Sequence, residues 1–136
     1  RRAGAGRRLK AGANMILRTG VDILEVNRLA EVNPAIRRRF LERVFTPLEL
    51  EQVGHSNESL SGRFAAKEAV SKALGTGIGK ARWQDIEIRR GPYGAPELHL
   101  HGFARQVADH LGLSTWSVSI THDRTTVVAF VVAIGE

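Results

Sequence analysis

The stretch that decides the fold is residues 61–75, SGRFAAKEAVSKALG, which has the composition of a helix with two different sides. When the helix is wound at about 100° per residue, four alanines, Val70 and Leu74 fill one arc. The opposite side, which we call the polar arc, carries Phe64, Lys67, Glu68, Ser71 and Lys72. Gly75 can adopt the left-handed conformation that ends many helices. The sequence therefore predicts a helix over 61–74 that packs closely through small side chains.

The polar arc has two interpretations. Most charged helix faces are solvated, and Glu68 and Lys72 have the i,i+4 spacing of a surface ion pair, which contributes only a few tenths of a kcal/mol. Alternatively, the alanine arc brings the helix backbone close to its neighbours and thereby positions the polar arc accurately, as an active site requires. The spacing alone leaves both interpretations open.

The residues upstream of this helix predict one strand and two further helices. Residues 16–24 are apolar and interrupted by Gly20, which is typical of a short strand. Asn33-Pro34 has the pattern of a capped helix start, and Thr46-Pro47-Leu48-Glu49 has that of a capping box. Residues 54–59 are polar and are interpreted as a loop.

The residues downstream predict mainly strands. Ile86 and Ile88 alternate with charged residues, and after the turn 91–96 the chain returns through Leu98 and Leu100. Residues 103–111 form a helical pattern that ends at Gly112. A strand from Trp116 leads to a turn at 122–124. The last strand, 126–134, is apolar on both faces, which predicts that it is central or covered by a neighbouring subunit. The fold class is α+β.

The composition limits the classes of function. A chain of 136 residues without cysteine suits a single domain, here 15–136, and excludes disulfides, thiolate nucleophiles and cysteine-based zinc sites. The longest apolar run, 127–134, is far shorter than the ~20 residues of a membrane helix. Residues 1–14 hold +5 of the net charge of +6. We interpret them as a disordered basic extension, with a nucleic-acid-binding tail as an alternative that lacks aromatic residues for stacking on bases.

Three features outside the helix could carry chemistry. Asp22 lies between Val21 and Ile23 in an apolar strand, where a carboxylate is costly unless it binds a metal or forms a salt bridge, for example to Arg28 or Lys72. The glycine-rich segment 75–80 could approach phosphates, although it follows a helix and lacks the spacing of a P-loop. His122 is either a turn residue or a ligand-binding one, and the other four histidines show no metal-ligand spacing.

Four blocks of this sequence, in order, resemble the holo-acyl-carrier-protein synthase family, the short trimeric branch of the phosphopantetheinyl transferases. They are residues 20–23 (GVDI), residues 62–79 (GRFAAKEA to GTGIG), residues 85–88 (DIEI) and residues 117–122 (SVSITH). The resemblance covers about residues 15–134. It implies a small α+β fold with an antiparallel sheet packed by helices, assembled as a homotrimer with active sites between protomers.

The resemblance also implies an activity and roles for individual residues. The 4′-phosphopantetheine group of coenzyme A is transferred to a serine of an acidic acyl carrier protein, in support of fatty acid biosynthesis in the cytoplasm. Asp22 and Glu68 match carboxylates that hold Mg²⁺, with Glu68 or a water molecule as the base, and Lys72 matches a residue near the pyrophosphate. Arg63 and His122 match positions that meet the phosphates of coenzyme A, and His122 is expected at the 3′-phosphate. Arg28 and Arg39 match positions that face the carrier protein. A non-catalytic scaffold that only binds the carrier is the remaining alternative.

Overall fold

The computed structural model describes residues 14–75 and 82–136. Most of the basic extension (1–14) and of the glycine-rich segment (75–80) lies outside the described residues, and both interpretations stay predictions. The chain has the predicted α+β class. In chain order the elements are β1 (Ile16–Glu25), α1 (Asn27–Glu31), α2 (Pro34–Val44), α3 (Pro47–Val53), α4 (Asn57–Leu74), β2 (Ile86–Arg90), β3 (Pro96–Leu100), α5 (Gly102–Leu111), β4 (Thr115–His122) and β5 (Thr126–Gly135).

The larger sheet is antiparallel and has the strand order β1–β5–β4. Strand β5 pairs along its whole length with β1, from Ile16 opposite Gly135 to Glu25 opposite Thr126. Its other edge pairs with β4. Strands β2 and β3 form a separate antiparallel pair. The central position predicted for the last strand is therefore confirmed.

The helix starts follow the predicted caps, with one correction. The Asn33 side chain accepts a hydrogen bond from the Ala35 amide, and Thr46 and Glu49 form the predicted capping box at α3. However, α4 begins at Asn57 because Ser56 caps it by accepting from the Ser59 amide. The predicted loop over 54–59 is thus wrong for its last three residues. The short helix α1 was not predicted.

The polar arc of α4 is only partly solvated, since Lys72 is exposed and Lys67 is not. Lys67 is fully buried, and its ammonium donates to Glu49 Oε1 at 2.8 Å and to the carbonyl oxygens of Trp83 and Ile86 at 3.1 and 2.6 Å. Glu49 Oε2 accepts from the Ile88 amide at 2.7 Å. A buried charge needs such partners, and this network joins α3 and β2 to α4. The solvated interpretation is wrong for Lys67.

The two faces of the larger sheet differ. On the inner face, Val127, Ala129, Val131 and Ala133 of β5 are buried against α4. On the outer face, Phe130 and Ile134 are 43% and 38% exposed, and the neighbouring side chains of β1 are more than half exposed. We call this surface the outer apolar face; its members are Leu17, Val21, Ile23, Phe130 and Ile134.

Among the residues described, no helix combines the length and the apolarity that crossing a bilayer requires.

Candidate active site

Helix α4 lies unusually close to β1 at Gly20, a buried position. A Cβ atom on this residue would lie 1.9 Å from the Ala69 carbonyl oxygen and 3.2 Å from the Ala73 amide nitrogen. Only glycine permits this approach of two backbones. As a result, Asp22, two residues along β1, lies against the part of α4 that carries Glu68 and Lys72.

Asp22 has one paired and one unpaired carboxylate oxygen. Lys72 Nζ donates to Asp22 Oδ1 at 3.0 Å and to the Val21 carbonyl oxygen at 2.9 Å. The salt bridge from Asp22 to Lys72, one of the alternatives considered from the sequence, is therefore present. It joins α4 to β1. In contrast, Asp22 Oδ2 is buried and has no hydrogen-bond partner among the described residues. Such an oxygen is costly to bury and is available to a cation.

Glu68 lies beside Asp22, and the two carboxylates influence each other. Burial and the neighbouring carboxyl group of Asp22 together raise the pKa of Glu68 to about 7. The nearby charges of Lys72 and Arg28 oppose this rise. Two carboxylates that share a site resist ionising together. This arrangement therefore favours either a shared proton or a bound cation.

These residues fit a magnesium ion that also binds a substrate. Mg²⁺ prefers oxygen ligands, and in phosphate-transferring sites it takes one or two carboxylates and completes its shell with waters and substrate phosphates. Asp22 and Glu68 supply two carboxylates, one of them with an unpartnered buried oxygen. The described residues contain no group of three or more His, Cys, Asp or Glu side chains placed to hold a metal, so the further ligands would have to come from substrate and water.

A second group of predicted site residues lies around a pocket of about 240 Å³ at the first half of α4. Arg63 and His122 line it, together with Arg89 and Arg90 of β2. Four basic side chains around one pocket favour an anionic ligand. Arg89 and Arg90 were not singled out from the sequence, where they appear only as charged residues at the end of a strand.

Arg63 is mostly buried in this pocket wall. It is 8% exposed, and its guanidinium donates to Gln52 Oε1 at 3.0 Å and to the Ile88 carbonyl oxygen at 2.7 Å. Burial lowers the pKa of Arg63 from its ordinary value, while Glu49 opposes that shift. These internal bonds fix the guanidinium in the wall of the pocket.

His122 ends β4 and lies beside an acidic residue of α4. Its Nδ1 lies 3.2 Å from Glu58 Oε2 and 3.4 Å from the Asp123 carbonyl oxygen. The turn that follows is fixed by the Asp123 carboxylate, which accepts from the amides of Thr125 and Thr126. Glu58 was not predicted from the sequence, where it lay within the expected loop.

The predicted site residues thus form two groups within one protomer. Asp22, Glu68 and Lys72 come together beside Gly20, whereas none of them lines the basic pocket of Arg63 and His122. Gly62 of α4 lines the basic pocket. It is separated from Lys72, ten residues further along the helix, by roughly 15 Å at 1.5 Å per residue.

The two arginines expected at the carrier protein are both exposed. Arg28 lies on α1 and is near enough to the carboxylates for its charge to act on Glu68. Arg39 lies on the exposed side of α2.

Comparison with known proteins finds a matching family in sequence and in fold. A sequence model of the 4′-phosphopantetheinyl transferase superfamily matches residues 18–131. A holo-[acyl-carrier-protein] synthase of Natranaerobius thermophilus is 45% identical over 118 residues, 85% of this chain and 94% of that protein. The crystal structure of the Helicobacter pylori holo-[acyl-carrier-protein] synthase in complex with coenzyme A matches with a TM-score of 0.76 and 35% identity, over 85% of this chain and 98% of that one. A Bacillus anthracis holo-(acyl-carrier-protein) synthase in complex with CoA (3′,5′-ADP) matches with a TM-score of 0.71 and 35% identity, over 90% and 100%.

Proposed function

This chain belongs to the holo-[acyl-carrier-protein] synthase family of 4′-phosphopantetheinyl transferases, and we propose that Asp22, Glu68 and Lys72 form the centre of its transfer site. The enzyme transfers the 4′-phosphopantetheine group of coenzyme A to a serine of an apo-acyl carrier protein and releases adenosine 3′,5′-bisphosphate. The observation that carries our assignment of the centre is the pair of adjoining carboxylates with its unpartnered oxygen, Asp22 Oδ2.

Asp22 and Glu68 would hold Mg²⁺, which when bound offsets the charge on the pyrophosphate of coenzyme A. Lys72, anchored by Asp22 and the Val21 carbonyl, adds a positive charge for the departing bisphosphate. The carrier serine forms the new O–P bond while the bond to adenosine bisphosphate breaks. The serine proton passes to the Glu68 carboxylate or to a water molecule beside the two carboxylates.

The direct test of the activity is mass spectrometry of an apo-acyl carrier protein incubated with the enzyme, coenzyme A and Mg²⁺. The carrier should gain the mass of phosphopantetheine on one serine. An unmodified carrier, under conditions where a known transferase modifies it, would contradict the assignment.

The basic pocket is the proposed binding place of the 3′-phosphate. Arg63, Arg89 and Arg90 give it a permanent positive charge, and His122 at its rim can add a further donor. A phosphate is the common ligand of such clusters because guanidinium groups match its geometry.

Replacing His122 with alanine should reduce discrimination between coenzyme A and 3′-dephospho-coenzyme A. A hydrogen bond to a charged group contributes about 1.5–3 kcal/mol, so the ratio of the two Michaelis constants should fall at least roughly tenfold. Steady-state kinetics with both substrates measures the ratio. An unchanged ratio would make His122 a turn residue only.

We also propose that copies of this chain assemble as a homotrimer through the outer apolar face. The five side chains of that face are exposed in a single chain, and burying such a surface is favourable. Assembly would also bring the two groups of site residues together, because the basic pocket of one protomer would then face the carboxylates of another across the interface.

Helix α2 and the residues before it form a basic surface that we propose as the carrier docking site. Residues 28–43 contain five arginines and two glutamates, which gives this segment a net charge of +3. Acidic carrier proteins would be steered to such a surface.

The proposed cellular role is to supply holo-acyl carrier protein for fatty acid biosynthesis. A cytoplasmic location, in keeping with the absence of cysteine, is the proposed setting.

Charge reversal at this surface should affect the carrier much more than coenzyme A. We expect Arg28→Glu and Arg39→Glu to raise the Michaelis constant for the carrier severalfold at low salt, and less at high salt, because exposed charges are screened. Arg105→Glu, an exposed arginine of α5, is the matched control. Equal weakening of both substrates would instead assign the arginines to the coenzyme A site.

A further inference from the structure

One edge of β2 is completed by side chains instead of a strand. Within the described part of the chain, β2 pairs with β3 alone, and a free strand edge presents backbone groups that need partners. Side chains of α3 and α4 supply them through four hydrogen bonds: Lys67 Nζ to the Ile86 carbonyl at 2.6 Å, the Ile88 amide to Glu49 Oε2 at 2.7 Å, Arg63 Nη1 to the Ile88 carbonyl at 2.7 Å, and the Arg90 amide to Gln52 Oε1 at 2.9 Å.

Gln52 of α3 has a special place at this edge because its Oε1 accepts two hydrogen bonds. One comes from the Arg90 amide at 2.9 Å and the other from Arg63 Nη1 at 3.0 Å. Both partners are donors, so the atom between them is the amide oxygen and not the amide nitrogen. A single uncharged atom thereby joins a side chain of α4 to the backbone at the end of β2.

The two residues that Gln52 joins both line the basic pocket. Without its oxygen, Arg63 Nη1 would keep only the bond to the Ile88 carbonyl, and the guanidinium could turn about that single contact. The Arg90 side chain would keep its bond to the Gln52 backbone carbonyl, at 2.9 Å, but the Arg90 amide would lose its acceptor. The relative placement of the two arginines therefore depends on Gln52 Oε1.

We propose that Gln52 is a positioning residue for coenzyme A recognition: its amide oxygen holds Arg63 and Arg90 in the relative placement that binds the 3′-phosphate. This inference rests on the proposed location of that phosphate in the basic pocket. Donors that are fixed before the ligand arrives lose less conformational freedom on binding. An amide also accepts without a charge of its own, whereas a carboxylate would oppose the attraction of the pocket for phosphate.

The test is the steady-state kinetics of Gln52→Met with coenzyme A and with 3′-dephospho-coenzyme A. Methionine is similarly long and helix-compatible, but its sulfur is only a weak acceptor. The Michaelis constant for the dephospho substrate divided by that for coenzyme A should fall about three- to tenfold. The turnover number and the Michaelis constant for the carrier should stay within about twofold of the parent's, because this loss affects binding of the phosphate and not the transfer step.

Gln84→Met is the matched control for structural loss. The Gln84 amide donates to the carbonyl oxygens of Glu42 and Phe45 at 2.7 and 3.1 Å, so this change also removes two hydrogen bonds, and Gln84 does not line the basic pocket. It should destabilise the protein in urea about as much as Gln52→Met but keep the parent's ratio of Michaelis constants. Loss of folded protein alone lowers the apparent turnover with both substrates equally and leaves that ratio unchanged.

Gln52→Glu separates the placement of the arginines from the charge of the pocket. A glutamate keeps an oxygen acceptor for Arg63 and Arg90, so this variant should unfold at the parent's urea concentration. Its negative charge should nevertheless lower the ratio of Michaelis constants. A ratio equal to the parent's would overturn the requirement for an uncharged acceptor.

The outcomes also separate this inference from the proposed function. If His122→Ala reduces the discrimination between the two substrates but Gln52→Met leaves it unchanged, the role of Gln52 is overturned and the phosphate site stands. If neither variant changes the discrimination, the phosphate does not bind in the basic pocket and this inference fails with that placement.

Discussion

Glu68→Gln should lower the rate of phosphopantetheine transfer by at least about a hundredfold and leave the fold intact. The amide has the same volume but lacks the negative charge proposed to hold Mg²⁺ with Asp22. It also cannot accept the serine proton. The rate is measured by mass spectrometry of the carrier at saturating coenzyme A, and the fold by circular dichroism.

A thermal measurement distinguishes loss of the metal site from general damage. The pKa of Glu68 is raised to about 7 from an ordinary 4.5, so the folded protein holds this proton more tightly than the unfolded chain. Stability from this group is therefore complete below about pH 4.5 and is lost as pH rises through about 7. In metal-free protein at about pH 8, Glu68→Gln should consequently melt no lower than the parent. Mg²⁺ should raise the melting temperature of the parent and not that of the variant.

The control for charge is Glu51→Gln, which makes the same change at an exposed position of α3. It should transfer at the parent's rate. Near-normal transfer by Glu68→Gln at ordinary Mg²⁺ would remove Glu68 from the site. It would also revive the scaffold alternative, in which the carboxylates are dispensable.

Gly20→Ala should destabilise the protein by about 2–3 kcal/mol or more and remove most activity. The new Cβ would lie 1.9 Å from the Ala69 carbonyl oxygen and 2.8 Å from its carbonyl carbon. Both atoms belong to the backbone of α4, so no rotamer change can relieve the contact and the helix must move away from β1. That movement separates Asp22 from Glu68. Urea unfolding and the transfer assay measure the two effects.

Gly62→Ala is the matched control for stability. Among the described residues outside the helix's own backbone, its new Cβ would meet only the Ile120 Cγ2 methyl, at 3.1 Å, and a side chain can shift by a few tenths of an ångström. Alanine also favours the helix by up to about 1 kcal/mol, so the net change should be small. Parent-like stability of Gly20→Ala would show that α4 and β1 tolerate a wider separation.

The elements of the fold could be predicted because their signals are local. The caps at Asn33 and Thr46 and the terminal Gly75 each need only a few neighbouring residues, and the alternating apolar residues predict the strands. The environment of Lys67 could not be predicted in this way. Its acceptors come from α3, from Trp83 just before β2 and from the first residue of β2, and a helical projection of α4 includes none of them.

The same limit applies to the candidate site. Asp22 could be identified as a candidate because a carboxylate in an apolar strand is costly unless it is paired or binds a metal. Its salt bridge to Lys72 was one of the predicted alternatives. Arg89, Arg90 and Glu58 carry no such local anomaly. They acquire meaning only when β2, β4 and the start of α4 meet around one pocket.

The order of the strands has a consequence for how the chain can fold during synthesis. Strand β1 leaves the ribosome first, but its partner β5 is made last, with Ile16 opposite Gly135. Lys67 and Glu49 likewise depend on residues made after them. Lys67 donates to the carbonyl oxygen of Ile86, and Glu49 accepts from the amide of Ile88. A nascent chain that ends after α4 would have to bury an incompletely paired ammonium ion and an unpaired strand edge. We therefore expect the sheet and the carboxylate pair to form only after the last ten residues have emerged.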